Sequence, residues 1–301
     1  MEKKNLETKR ILIFLGVTFA LTIGYSVGIL YPMLEQQSVS TVTTANTQLF
    51  VALVMFFPAI GVLITRLITK EGFQNAWLHP HFKGNMKTYV LAYFGPGILT
   101  ILGAVVYFLI FRGQFDADCG YLQTLMAMKN PEKINYSALM IAQGVQALLM
   151  GPILNFITCF GEEWGWRGYL LPKMAKKFSP IPMLLINGII WGLWHAPLTA
   201  VGHNYGMGYP GFPFTGIAAM CIFCIVVGIF LTYVSMKTKS CIPAILAHGS
   251  LNSMGAIGTY FTKDGGNPFV GPAPMGIIGG IPFIIVAILI CVFYFARKEN
   301  D

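Results

Sequence analysis

Two adjacent carboxylates stand inside an apolar stretch, Ile157-Thr158-Cys159-Phe160-Gly161-Glu162-Glu163-Trp164-Gly165-Trp166-Arg167. Only 11% of the chain is charged and 55% is hydrophobic. A charge at the centre of a bilayer costs about 2.5–3.5 kcal/mol on insertion scales, so an acid there is a functional candidate by default. Two histidines share the apolar setting: His195 in Trp191-Gly192-Leu193-Trp194-His195, and His248 in His248-Gly249-Ser250-Leu251-Asn252.

On a helix Glu163 and Arg167 are four residues apart, share a face and can pair. Glu162 points about 140° away from Arg167 and is left for a cavity, where a carboxylate suits a general base. Trp191 with His195, and His248 with Asn252, repeat the four-residue spacing. Three helices can therefore aim Glu162, His195, His248 and Asn252 at one point. One carboxylate with two imidazoles is the ligand set of hydrolytic zinc sites, which makes Glu162, His195 and His248 candidate zinc ligands. An amide and an imidazole are equally good donors to a tetrahedral oxyanion. Both uses lead to hydrolysis of an acyl bond by an activated water, and the choice between zinc and no metal stays open. No serine or cysteine triad and no His-Glu-x-x-His motif is present. A single Glu–Arg pair can be a structural staple, and a single membrane histidine a satisfied core group. Their matched spacing on three separate segments favours a shared site.

The elements that must carry these residues are membrane helices. Mean hydropathy is +0.65, which excludes a soluble globule for most of the chain. Runs of about 20 apolar residues are the length of helical spans and too long for barrel strands. Eight candidates fall at 10–31, 48–69, 88–111, 136–160, 181–200, 214–236, 241–261 and 275–296; the seventh is the weakest, being short and carrying His248 and Asn252. The expected fold is all-α, a polytopic membrane protein of about eight helices around a polar cavity. It forms one domain, 1–301, with core helices in 136–261.

The net charge of +8 fits the positive-inside rule better than a nucleic-acid surface. Sixteen lysines and arginines fall on the side of the N-terminus and four on the other. Both termini are expected in the cytoplasm of a bacterial cell, with the first apolar run retained as a span. The same register places Glu162 and Glu163 at the cytoplasmic end of the fourth span, His248 about half-way in, and His195 in the outer half; these depths disagree. Residues 112–135 read as an outer loop with a little helix, and 73–81 as an interfacial segment. His79, His81 and His203 read as solvated loop residues. Cys221 and Cys224 have redox spacing inside an unbroken apolar helix, where packing is the better reading. Trp164, Trp166, Trp191 and Trp194 read as cavity walls and anchors.

The set Glu162-Glu163-x-x-x-Arg167, Trp191-x-x-x-His195 and His248-x-x-x-Asn252, in this order over 162–252, resembles the signature of the CAAX protease and bacteriocin-processing (CPBP, or Abi) family of intramembrane endopeptidases. Phenylalanine is commonest where Trp191 stands. The resemblance implies an eight-helix fold with a cavity open to the cytoplasm. It implies that Glu162 and His195 activate water, that His248 and Asn252 stabilise the oxyanion, and that Glu163 and Arg167 support them. It also implies membrane lipid and a peptide or lipidated-protein substrate as partners, with no nucleic acid. The alternatives are an ion-coupled transporter, which lacks support from any inverted repeat, and a non-catalytic immunity or scaffold protein.

Overall fold

The computed structural model describes residues 2–37, 44–126 and 134–296. The chain is 72% helical, and the described residues contain no strand beyond two isolated bridges. Helices dominate because in hydrocarbon every backbone N–H must be satisfied within its own segment. The helices are α1 (Glu2–Tyr25), continued through a π-helical turn into α2 (Tyr31–Gln37), α3 (Thr44–Val54), α4 (Phe57–Ile68), α5 (Met86–Ile110), α6 (Gly120–Leu125) and α7 (Tyr136–Leu154). They continue with α8 (Phe156–Glu163), α9 (Leu171–Met174), α10 (Pro180–Trp194), α11 (Ala196–Thr199), α12 (Phe214–Thr238), α13 (Ile242–Met254) and α14 (Ile281–Ile290).

Among the described residues, five segments are long and apolar enough to cross a membrane: Asn5–Leu34, Leu49–Ile68, Met86–Ile110, Tyr136–Leu154 and Phe214–Thr238. They match the first, second, third, fourth and sixth expected spans. The other three appear as shorter helices, α10, α13 and α14. The helix α13 packs against α5, α7, α8 and α12. Enclosed by protein, it has no need of a full apolar surface, which explains its weak signal.

The fourth span differs from its expected length. The helix α7 stops at Leu154 and does not run to 160. Pro152 removes a backbone donor near its end. Asn155 then turns its side-chain amide onto the Gly151 carbonyl at 3.0 Å and the Ser253 hydroxyl at 2.9 Å. A second helical run restarts at Phe156 and continues through a π-helical segment, Trp164–Leu170, into α9. Glu162 is therefore not at the cytoplasmic end of a span. It lies eleven positions before Lys173, about 16 Å along a helix.

Glycines bring the site helices close. A Cβ on Gly188 would meet the Ile225 backbone of α12 at 2.5 Å, and one on Gly192 would strike Cys221. A Cβ on Gly161 would meet the Met55 carbonyl at 2.5 Å, and one on Gly165 would strike Pro58. Small residues four apart are a common seam between membrane helices. Here they fix α10 on α12 and the glutamate-bearing run on α4.

The two ends of the bundle are closed differently. At the end bearing most lysines, Glu71 receives Lys173 at 2.5 Å, the Tyr169 hydroxyl at 2.7 Å and Arg10 at 3.4 Å. At the other end three connections meet. The Asp116 amide donates to the Phe261 carbonyl, Phe115 stacks on Phe261, and Tyr205 and Tyr209 contact the Phe269 ring. The outer loop carries the short helix α6; Lys129, Asn130, Pro131, Glu132 and Lys133 lie outside the described residues, as do Arg297 and Lys298.

Candidate active site

The four-residue spacing of Glu163 and Arg167 does produce an ion pair, at 3.1 Å, with both side chains fully buried. It forms where α8 widens into the π-helical segment, a departure from the regular helix assumed from sequence. The same Glu163 oxygen lies 2.9 Å from His248 Nδ1 on α13. The Arg167 guanidinium sits 4.2 Å over the Trp191 ring. Gly228 of α12 leaves the space for it, since a Cβ there would stand 3.2 Å from Arg167 Nη2. A buried cation is tolerated only with partners, and this one has a carboxylate and an indole face.

Glu162 faces elsewhere, as its azimuth requires, and accepts a hydrogen bond from Trp191 Nε1 at 2.9 Å. The Trp191 ring lies 5.8 Å from the His195 ring and 5.5 Å from the His248 ring, between the two. His195 Nδ1 is 2.8 Å from the Trp191 carbonyl. A carbonyl only accepts, so Nδ1 carries the proton; when the ring is neutral its lone pair is at Nε2. Trp194 packs edge-on against His195 and donates its own indole N–H to Thr22 of α1 at 2.7 Å. Asn252, one turn beyond His248, is exposed and its amide reaches Cys159 Sγ at 3.7 Å.

Glu162, His195, His248 and Asn252 share the wall of one cavity of about 760 Å³. Its other walls include Tyr121, His203, Asn204 and Asp264. His203 thus belongs to the cavity and is not merely a loop residue. The disagreement in depth between His195 and the glutamates disappears, because the run from Phe156 carries Glu162 inward to the level of Trp191. Cys224, buried in α12, lies 3.9 Å from His195 Nδ1 and makes a packing contact there.

The donor atoms that come within 4.8 Å of one another belong to Glu162, Glu163 and His248. His195 lines the same cavity but is not in that group. The cluster therefore offers two carboxylates and one imidazole, where Glu162 with His195 and His248 was the expected ligand set. One of these carboxylates is already bound to a guanidinium and to His248. These contacts use Glu163 Oε1, while its buried Oε2 has no hydrogen-bond partner.

Sequence reasoning left Trp191 as a wall; the structure makes it the hydrogen-bond donor to Glu162. The signal was present, since a buried indole N–H normally needs a partner. Trp164 and Trp166 lie among the buried core residues and do not line the cavity.

Residues 144–254 match the family model for type II CAAX prenyl endopeptidase Rce1-like proteins. That window contains all seven residues of the three motifs. Among curated proteins, CAAX prenyl protease 2 of Methanococcus maripaludis is 34% identical over 103 residues, which is 30% of this chain and 34% of that protein. The match therefore spans about a third of the relative's length.

Proposed function

We propose that this chain, whose residues 144–254 match the Rce1-like family model, is a CPBP-family intramembrane endopeptidase in which Glu162 activates the attacking water. The observation that carries the reading is the hydrogen bond from Trp191 to Glu162 at the cavity wall. One carboxylate oxygen is held by the indole, and the carboxylate is aimed at the cavity. Glu162 takes a proton from water as the water attacks the scissile carbonyl. It then returns the proton to the leaving amine, as a general base that becomes a general acid.

His195 assists through Nε2, because its Nδ1 proton is committed to the Trp191 carbonyl. His248 and Asn252, one helical turn apart on α13, stabilise the tetrahedral oxyanion. Glu163 orients His248, and Arg167 balances Glu163. Neither contacts the substrate. If a metal were bound, Glu162, Glu163 and His248 are the residues placed to hold it, and it would polarise the scissile carbonyl. The guanidinium and the imidazole already held by Glu163 support the metal-free reading.

The substrate is a membrane-associated peptide, and the similarity to an archaeal CAAX prenyl protease makes a prenylated peptide the first to test. The test is cleavage of quenched fluorescent peptides, with and without a farnesyl group, by purified protein in detergent. Glu162→Ala should abolish cleavage while the protein stays folded. 1,10-Phenanthroline should leave cleavage unchanged; loss of activity with the chelator, restored by zinc, would overturn the metal-free reading.

A further inference from the structure

The cavity wall holds polar groups that the proposed chemistry leaves unused. Past His195 the chain makes the short helix α11 and then folds back through residues 201–206. Backbone bonds close this turn. The His203 amide donates to the Leu198 carbonyl at 3.0 Å, the Tyr205 amide to the His203 carbonyl at 3.0 Å, and the Gly206 amide to the Gly202 carbonyl at 2.9 Å. Gly202, Asn204 and Gly206 take φ values of +90°, +70° and +72°, a region that glycine and asparagine enter most readily. The turn is therefore held by its backbone, and its polar side chains are free for another task.

Those side chains line the cavity as a run of three, His203, Asn204 and Tyr205. Among the described residues the His203 ring makes no hydrogen bond. The Asn204 amide reaches only the Met220 sulfur, at 3.5 Å, and a thioether is a weak acceptor. Tyr205 is 3% exposed, yet its buried hydroxyl has no hydrogen-bond partner, although a buried phenol usually finds one. Phe269 stacks on the Tyr205 ring at 4.8 Å and fixes its place. One turn thus presents an imidazole, an amide and a phenol, each with donor capacity to spare.

The turn stands close to the reacting groups. Leu198, which accepts from the His203 amide, lies in the first turn after His195 and donates its own amide to the His195 carbonyl at 2.9 Å. His203 is therefore about one helical turn, ~5 Å, beyond His195. An extended peptide advances ~3.3 Å per residue. A peptide whose scissile carbonyl lies between Glu162 and His195 brings the next one or two residues to this turn.

We propose that residues 203–205 form a subsite for the backbone of the peptide substrate, in which the His203 ring, the Asn204 amide and the Tyr205 hydroxyl donate to carbonyls one or two residues from the scissile bond. Such donors set the register of the chain without selecting a side chain. The proposal rests on the endopeptidase reading for the identity of the ligand.

The test uses full-length protein in detergent. A fluorescent farnesyl peptide is bound to Glu162→Gln protein, which removes the proposed base, and binding is read by anisotropy. Adding His203→Ala or Tyr205→Phe should weaken binding about five- to ten-fold, the effect of one hydrogen bond. His203→Gln, which keeps a donor, should recover most of the loss. With Glu162 intact, the same changes should raise KM by a similar factor and alter kcat far less. Shortening the peptide residue by residue from each end should reach a length at which His203→Ala has no further effect, because the carbonyl it contacts is gone. Neither change should lower the thermal midpoint; if one does, the other decides. Equal affinity with and without both changes, a fall in kcat alone, or a farnesyl peptide that does not bind at all would overturn the subsite. Binding that depends on His203 without cleavage by the unsubstituted protein would remove the endopeptidase reading and keep the subsite.

Discussion

Trp191 connects the groups on which the chemistry depends. Its indole N–H fixes Glu162 and its ring covers Arg167, so one side chain orients the base and shelters the cation that anchors Glu163. A hydrogen bond to a charged group contributes about 1.5–3 kcal/mol. Trp191→Phe keeps an aromatic ring over Arg167 but removes the donor. The expected outcome is a fall in kcat of about 10-fold or more with KM little changed, read by steady-state cleavage; an unchanged kcat would mean that the indole does not position Glu162. Glu163→Gln leaves Arg167 buried without its counter-charge. Removing one partner of a buried pair costs about 3–5 kcal/mol, and a matching drop in the thermal midpoint measured in detergent is expected. The pairs Glu163 with Arg167, Trp191 with His195 and His248 with Asn252 were legible in the sequence because four-residue spacing places two side chains on one face of any helix. The role of Trp191 was not, because it depends on an azimuth between two helices that spacing alone leaves undefined. The same holds for His195, which spacing aimed at the cluster and packing set against the cavity wall.

Glycine seams decide how closely the helices approach. Gly188 and Gly192 put α10 on α12 with no room for a Cβ against Ile225 and Cys221. Because the obstacle is backbone, it cannot rotate away. Gly192→Ala is expected to cost about 1–3 kcal/mol, the usual range for overpacking, and to lower the thermal midpoint. Gly28→Ala, where a Cβ meets nothing within 4 Å, serves as the neutral control. Equal midpoints for the two variants would refute the seam. The apolar runs made most helices legible, and the longest five needed no tertiary information. The break at Asn155 was not legible, since Asn155 works by bonding to Ser253 on a helix nearly a hundred residues away. Its consequence is large: it turns an apparent loop-end glutamate pair into an interior one.

At the scale of the whole molecule, Glu71 holds the lysine-rich end together. Burial would raise its carboxyl, but hydrogen bonds from Lys173 and Tyr169 and the charges of Lys173 and Arg10 outweigh burial, and the group sits below its ordinary value. Burial weighs more heavily on Lys173, whose ammonium is held below its ordinary value despite the same partner, so Glu71 is the member whose titration registers in acid. A carboxylate depressed on folding contributes stability that is fully present above its unfolded pKa, about 4.3, and that is lost as pH falls through the folded value. The thermal midpoint should therefore drop below about pH 4.3. Glu71→Gln should lower the midpoint at pH 7 and flatten that acid slope; an unaltered slope would remove Glu71 from the account. The charge bias of the loops was legible from sequence, whereas the lining of the cavity was not, because it depends on which side chains of the central helices are packed and which are left bare.

The central claim is that Glu162 activates the attacking water without a metal. The most direct measurement is single-turnover cleavage of a farnesylated quenched peptide by the wild-type protein and by Glu162→Gln, a near-isosteric change, each with and without 1,10-phenanthroline. The account predicts a loss of at least about 100-fold in Glu162→Gln, in keeping with removal of a general base, and no effect of the chelator on the wild type. Cleavage by Glu162→Gln at the wild-type rate would contradict it.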